Sequence, residues 1–189
     1  MQNYRHDDIQ SHINRNGLLV PLDILLVGAT GTGKSSTLNA LFNSTIAKVG
    51  EGVDPETQKI SAYKLHDYLR FHDSAGLGDG KENDLNHSKN ITSELLSTCG
   101  ENNDNGFIDV VMVLLDGSSR DLGTTFQLLE SVILKSIEPK RVIVAINQAD
   151  MAMDGDYWNR VLNKPESTLT DFKAAVTNFN SPAAFFMRA

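Results

Sequence analysis

The sequence predicts a three-layer α/β/α fold with a mainly parallel sheet, and three observations predict it. Strand-like and helix-like stretches alternate along the chain, the pattern of helices packed on both faces of a parallel sheet. Phe107–Leu115 is a nearly continuous apolar run, as a central strand covered on both faces requires. The third observation is Gly28-Ala29-Thr30-Gly31-Thr32-Gly33-Lys34-Ser35, which matches G-x-x-x-x-G-K-[ST] between an apolar strand pattern and a helical one. In that setting it reads as a phosphate-binding loop, extended by Ser36 into the helix. Its glycines let backbone N–H groups turn inward around phosphate oxygens, and the positive end of the following helix faces the same anion. Lys34 is expected to reach the β- and γ-phosphates and Ser35 to hold Mg²⁺ through its hydroxyl.

Length and composition suit one globular domain: 189 residues, 40% hydrophobic and 22% charged, give a core of useful size. A net charge of −7 argues against a generally basic nucleic-acid surface, leaving room only for a local patch. No stretch approaches the roughly 18 continuous apolar residues of a membrane span, so no transmembrane segment is expected, and Met1–His6 lacks a signal-peptide core. The single cysteine, Cys99, cannot form an internal disulfide and reads as a structural or incidental thiol. The expectation is a cytoplasmic protein.

In chain order, residues 1–19 form a polar accessory segment with a short helix that Gly17 stops, and residues 20–189 form the nucleotide-binding domain. His6 and His12 lie in the accessory segment without other ligands at metal-binding spacing, and read as solvated. Leu22–Val27 is the strand before the loop, and Ser36–Phe42 the helix after it, with Leu38, Leu41 and Phe42 at helical spacing. Residues 43–57 hold Gly50, Gly52 and Pro55 without sustained periodicity, a long loop of the kind compact domains keep for function and expected to be mobile. Thr57, at its end, is the candidate switch residue that senses γ-phosphate through Mg²⁺, with Thr45 a weaker rival. An ordinary strand-entry threonine is the competing reading of Thr57.

Lys59–Leu65 and Tyr68–His72 read as two short strands around a turn at His66-Asp67. The second delivers Asp73-Ser74-Ala75-Gly76, 39 residues after Lys34. A carboxylate there reaches Mg²⁺ through water, and the Gly76 N–H approaches the γ-phosphate. His72, Asp73 and Ser74 do not read as a nucleophilic triad, because adjacent strand residues point to opposite faces. Residues 77–106 read as a second mobile segment with a helical interval near Ile91–Leu96 and an exposed His87. Phe107–Leu115 is the central strand, ending at Asp116-Gly117, and Phe126–Ile137 is a helix with one apolar face. Arg120 reads as a surface charge or helix-start contact in preference to a phosphate-stabilising finger. Arg141–Ile146 is another buried strand and delivers Asn147-Gln148-Ala149-Asp150 to the same sheet edge, where ligands bind in α/β folds. Asp150 can accept from guanine N1–H and the N2 amine, which adenine does not offer. Asn147 would tie this loop to the phosphate-binding loop.

Taken in order and spacing, Gly28–Ser35, Thr57, Asp73–Gly76 and Asn147–Asp150 resemble the first four sequence elements of a small GTP-binding domain. Over residues 20–165 the chain is similar to the Era-like branch of translation-factor-related GTPases, and most closely to the small predicted GTPases of enterobacterial mobile islands of the YeeP, YkfA and YfjP type. The resemblance implies a P-loop NTPase G domain that takes GTP or GDP with Mg²⁺, and a ribosomal RNA or protein partner.

Four departures from the family pattern shape the expected function. Gln148 stands where the family's N-K-x-D element has lysine, and Leu77 follows Gly76 where Ras-like proteins carry a water-orienting glutamine. Gly31 stands where cation-activated relatives have asparagine. The fourth departure is at the end: Ser181-Pro182-Ala183 is a poor match to the family's fifth element, and no closing helix follows. A C-terminally shortened domain would expose apolar sheet surface and favour a homodimer. The expected function is a GTP-binding switch with slow Mg²⁺-dependent hydrolysis. The alternatives are an interaction module with negligible intrinsic hydrolysis, and an ATPase, which Asp150 disfavours.

Overall fold

The computed structural model describes Asp7, Ser11, Asn14 and Arg15 and residues 21–42, 61–78, 81–99, 105–119, 123–151, 158–162, 164–165 and 184–186. Thr45, Thr57, Arg120, His6, His12 and residues 181–183 lie outside the described residues. Asp7, Ser11, Asn14 and Arg15 are helical and exposed.

The sheet has six strands: β1 (Leu22–Val27), β2 (Ser61–His66), β3 (Leu69–Asp73), β6 (Val110–Asp116), β7 (Val142–Asn147) and β10 (Ala184–Phe186). Their spatial order is β10-β7-β6-β1-β3-β2. All neighbours are parallel except β2, which runs antiparallel to β3 across the turn at His66-Asp67. β1 lies at the centre, with Leu26 opposite Asp73 of β3 on one side and Met112 of β6 on the other. Two two-residue pairings, β4 (Thr98–Cys99) with β5 (Asn105–Gly106) and β8 (Trp158–Asn159) with β9 (Lys164–Pro165), lie outside it.

Alternation along the central strands divides the core into two layers. Leu25 and Val27 of β1 and Val111, Val113 and Leu115 of β6 face one side, where they meet Ile91 and Leu95 of helix α2 (Lys81–Leu96). Leu128 of helix α3 (Gly123–Leu128) and Leu129 and Ile133 of the π-helical turn Leu129–Ile133 complete that layer. A last short turn, α4 (Leu134–Ser136), follows. Ile24, Leu26 and Leu114 face the other side and meet Leu38 of helix α1 (Lys34–Phe42). Leu25, Leu26, Val27 and Leu38 are all fully buried, worth about 2 kcal/mol each by apolar area. This is the three-layer arrangement the sequence predicts.

Residues 77–106 differ from expectation. Helix α2 begins at Lys81, ten residues before the predicted interval; its apolar stripe is narrow, with His87, Ile91 and Leu95 buried while Leu85 and Leu96 stay exposed, so its first turns carry little periodic signal. Glu82 and Asp84 in its first turn suit the helix N-terminus, and Asp84 accepts from the Gly78 N–H at 2.8 Å. His87 is therefore buried, not exposed. It lies one helical turn before Ile91 on the same inner face, and its Nδ1 has no hydrogen-bond partner among the described residues.

Candidate functional site

Four strands end at one edge of the sheet, and each delivers a different segment there. β1 leads to Gly28–Gly33, β3 to Ser74–Leu77, β6 to Gly117-Ser118, and β7 to Gln148–Asp150. Parallel strands make this so: every carboxyl end lies on the same side, and loops there converge.

The Gly28–Gly33 loop closes on itself and on its neighbours. The Thr32 hydroxyl donates to the Ala29 carbonyl at 2.9 Å. Lys34 is buried, and its Nζ spans the loop to donate to the Gly28 and Ala29 carbonyls at 3.1 and 3.0 Å. Helix α1 starts at Lys34 with no acidic residue in its own first turn, so its leading N–H groups and dipole present a positive end. Gly33 has φ +90°, and a Cβ there would collide with Asn147 Nδ2. The sequence requirement for glycine is thus both conformational and steric.

Asn147 does what its position suggested. Its Nδ2 donates to the Thr32 carbonyl at 3.0 Å, joining the segment after β7 to the phosphate-binding loop across 115 residues of sequence. Asp150 and Gln148 lie half-buried beside it.

Ser35 and Asp73 meet directly: the Ser35 hydroxyl donates to Asp73 Oδ2 at 3.1 Å. Asp73 is fully buried, and its other oxygen, Oδ1, has no hydrogen-bond partner among the described residues. Burial raises the Asp73 carboxyl above its ordinary range, while the charge of Lys34 and the Ser35 hydrogen bond act in the opposite direction. A buried carboxylate oxygen without a donor is costly unless a cation completes it. Among the described residues no group of three His, Cys, Asp or Glu side chains could hold a metal ion. An ion such as Mg²⁺, which takes one or two protein ligands and fills the rest with phosphate and water, fits this pair.

Gly76 packs against the phosphate-binding loop so closely that a Cβ would stand 2.7 Å from Thr30 Cα and 2.8 Å from its nitrogen. Leu77 continues the contact: the Thr30 N–H donates to its carbonyl at 2.7 Å, and its own N–H reaches the Gly28 carbonyl at 3.4 Å. Its side chain is buried in the larger core layer and so is turned away from the phosphate side.

The three consecutive residues at the end of β3 each serve a different partner, which removes the triad reading on geometry. His72 contacts Asp23 and Glu94, Asp73 accepts from Ser35, and the Ser74 hydroxyl donates to the Leu26 carbonyl at 2.7 Å. Sequence reasoning missed Ser118, whose hydroxyl bridges Asp116 and Gln148. The Asp-Gly-Ser run at the end of a buried strand was the signal. It also missed the set formed by buried Asp23 and His72 with partly exposed Arg70 and Glu94, whose members are dispersed along the chain.

A family model described as 50S ribosome-binding GTPase matches residues 23–148, the span from the start of β1 to the Asn147 loop. The tRNA modification GTPase MnmE of Sulfurovum sp. (strain NBC37-1) is 28% identical over 155 residues, which cover 80% of this chain and 32% of MnmE. The chain thus spans about a third of that relative's length. Toc33 from Arabidopsis thaliana, solved in complex with GDP and Mg²⁺, superposes with a TM-score of 0.61 at 16% identity, covering 96% of this chain and 76% of Toc33. Era, solved in complex with MgGDPNP and a segment of 16S ribosomal RNA, superposes with a TM-score of 0.60 at 17% identity over 88% of this chain and 50% of Era. At those identities the two structures speak for the fold.

Proposed function

This chain belongs to the 50S ribosome-binding GTPase family, and on that premise we propose that it is a GTP-binding switch that hydrolyses GTP slowly to GDP and phosphate. The observation that carries the proposal is the Ser35–Asp73 pair, with its unsatisfied Oδ1, set beside a loop that Asn147 ties to the segment bearing Asp150.

Each residue then has a defined task. Backbone N–H groups of residues 28–36 hold the phosphates, and Lys34 neutralises charge on the β- and γ-phosphates. Ser35 and Thr57 would ligate Mg²⁺ directly and Asp73 through water; the ion, when bound, neutralises charge that develops on the phosphate oxygens. The Gly76 N–H faces the γ-phosphate and transmits its presence to Leu77 and helix α2. Asp150 selects guanine through N1–H and N2, Asn147 braces the loop, and Gln148 flanks the base. Leu77 offers no hydrogen bond to the attacking water, which supports slow turnover. Its burial in the core also favours the second reading, an interaction module that binds GTP and turns it over only with a partner.

Residues 1–19 are carried as an accessory segment and 20–189 as the G domain. A ribosomal partner, suggested by the family description and by Era's RNA complex, a homodimer, a cytoplasmic location and closer kinship to the YeeP, YkfA and YfjP type are parts of the same proposal. Among the described residues no helix is long and apolar enough to cross a membrane.

The test is a titration with fluorescent GDP and GTP, competed by ATP, for the parent chain, Lys34→Ala and Asp150→Ala, with phosphate release followed in the same samples. Guanine-selective binding lost in both variants, with Mg²⁺-dependent release, supports the switch. Binding without release selects the partner-activated module, and no guanine binding by folded protein rejects both.

A further inference from the structure

We propose that Ser118 is a positioning residue for nucleotide retention: anchored on Asp116, its hydroxyl holds the Gln148 side chain beside the base-recognition residue Asp150. The inference rests on the guanine-nucleotide reading above and adds a residue to it.

Gln148 has φ +52° and is the one non-glycine residue with positive φ among the described residues. A residue held in that region costs about 1 kcal/mol or more and persists only where its surroundings enforce it. Three contacts do so. The Gly117 N–H donates to the Asn147 carbonyl at 2.8 Å, and the Met151 N–H donates to the Gln148 carbonyl at 3.0 Å. The third is the Ser118 hydroxyl, 3.1 Å from Gln148 Oε1.

That hydroxyl has one proton and two acceptors. Asp116 Oδ1, at 2.7 Å, is nearer and charged, and also accepts the Ser118 N–H at 2.8 Å. The carboxylate takes the proton as the stronger acceptor. The Gln148 amide is then satisfied by turning its NH₂ towards a lone pair of Ser118 Oγ, since the two ends of a carboxamide occupy equivalent positions. The result is a donor chain from Gln148 through Ser118 to Asp116, whose strand register places Asp116 opposite Asn147. A charged lysine head at position 148 could meet Asp116 without an intermediary. A shorter, uncharged glutamine needs the serine to bridge the gap, so the two residues function as a pair.

Dissociation of fluorescent GDP from the full chain, followed by stopped flow, tests this in the parent, Ser118→Ala, Gln148→Ala and the double variant. Loss of one charge-assisted contact predicts about five-fold faster release for Ser118→Ala. A similar change is expected for Gln148→Ala, with the double variant no faster than Gln148→Ala alone. Ser118→Thr, which keeps the hydroxyl, restores the parent rate, and the Mg²⁺ dependence of binding is the same in all. A Ser118→Ala effect that persists in full in the Gln148→Ala background, or no effect in either, overturns the inference and leaves the guanine-nucleotide reading standing. Failure of the folded parent to bind GDP overturns both.

Discussion

Asp23 and Asp73 lie on adjacent strands and are buried to 5% and 0% exposure, yet their surroundings are opposite. Asp23 is complete: Arg70 Nε and NH2 donate to its two oxygens at 2.5 and 2.9 Å, and His72 Nε2 lies 2.7 Å from Oδ1. Phe107 backs the set, with the Arg70 guanidinium 5.2 Å from its ring centre and the His72 ring packed edge-on. Asp73 accepts one bond from Ser35 and keeps an oxygen with no partner among the described residues. The comparison separates a buried carboxylate whose two oxygens are both engaged from one that keeps an oxygen without a partner among the described residues. Both lie near 0% exposure, so burial alone does not distinguish them; the count of donors does.

The largest expected effect falls on the completed side. Asp23→Ala leaves Arg70 and His72 without their shared acceptor and should cost about 3 kcal/mol of folding stability, read by urea denaturation. GDP affinity of the folded fraction should be unchanged. Equal loss of nucleotide affinity would show that the two regions are not separable.

Asp73→Asn should behave in the reverse way. Magnesium-dependent GTP binding should weaken about ten-fold, equivalent to about 1.4 kcal/mol. The nucleotide-free protein at pH 7 should be as stable as the parent or more so, because the uncharged amide avoids the burial penalty. A destabilised Asp73→Asn chain would place Asp73 with Asp23 among structural groups.

A smaller effect is the pH dependence of the nucleotide-free chain. The folded Asp73 carboxyl is raised above its ordinary value of 3.8, chiefly by burial. The folded state therefore holds that proton longer than the unfolded state. Stability from this group is full below the ordinary value and is lost as pH rises through the raised one. Parent stability should fall relative to Asp73→Asn as pH rises above the ordinary value of 3.8, in denaturation without Mg²⁺. An Asp73→Asn difference that does not vary with pH would rule this out. Smallest of all, Glu94→Gln removes a 3.3 Å contact to His72 Nδ1 from a partly exposed side chain and should cost about 0.5 kcal/mol.

The segments that meet at one edge of the sheet were legible from residue types and spacing, because the motifs that carry them constrain sequence locally. Gly28–Ser35, Asp73–Gly76 and Asn147–Asp150 each lie within eight consecutive residues and follow recognisable strands. The alternation of strands and helices likewise determined the layers and the parallel sheet. Leu22–Val27 and Ser36–Phe42 were predicted almost to their ends. The start of α2 was not legible, since a sixteen-residue helix with only a narrow buried stripe carries little local signal.

What tertiary structure alone decided are the contacts between segments far apart in sequence. The 115-residue reach from Asn147 to Thr32, the 49-residue reach from His72 to Asp23, and the bridge from Ser118 to Gln148 arise only when parallel strands bring their ends together. Sequence determined which chemistry was present at each strand end, because backbone conformation and ligand type act on neighbouring residues. It did not determine which groups were left unsatisfied, because a hydrogen-bond partner is found across the fold. Asp73 and Asp23 are the same residue in one-dimensional terms; only the packing around them made one a finished brace and the other an open oxygen.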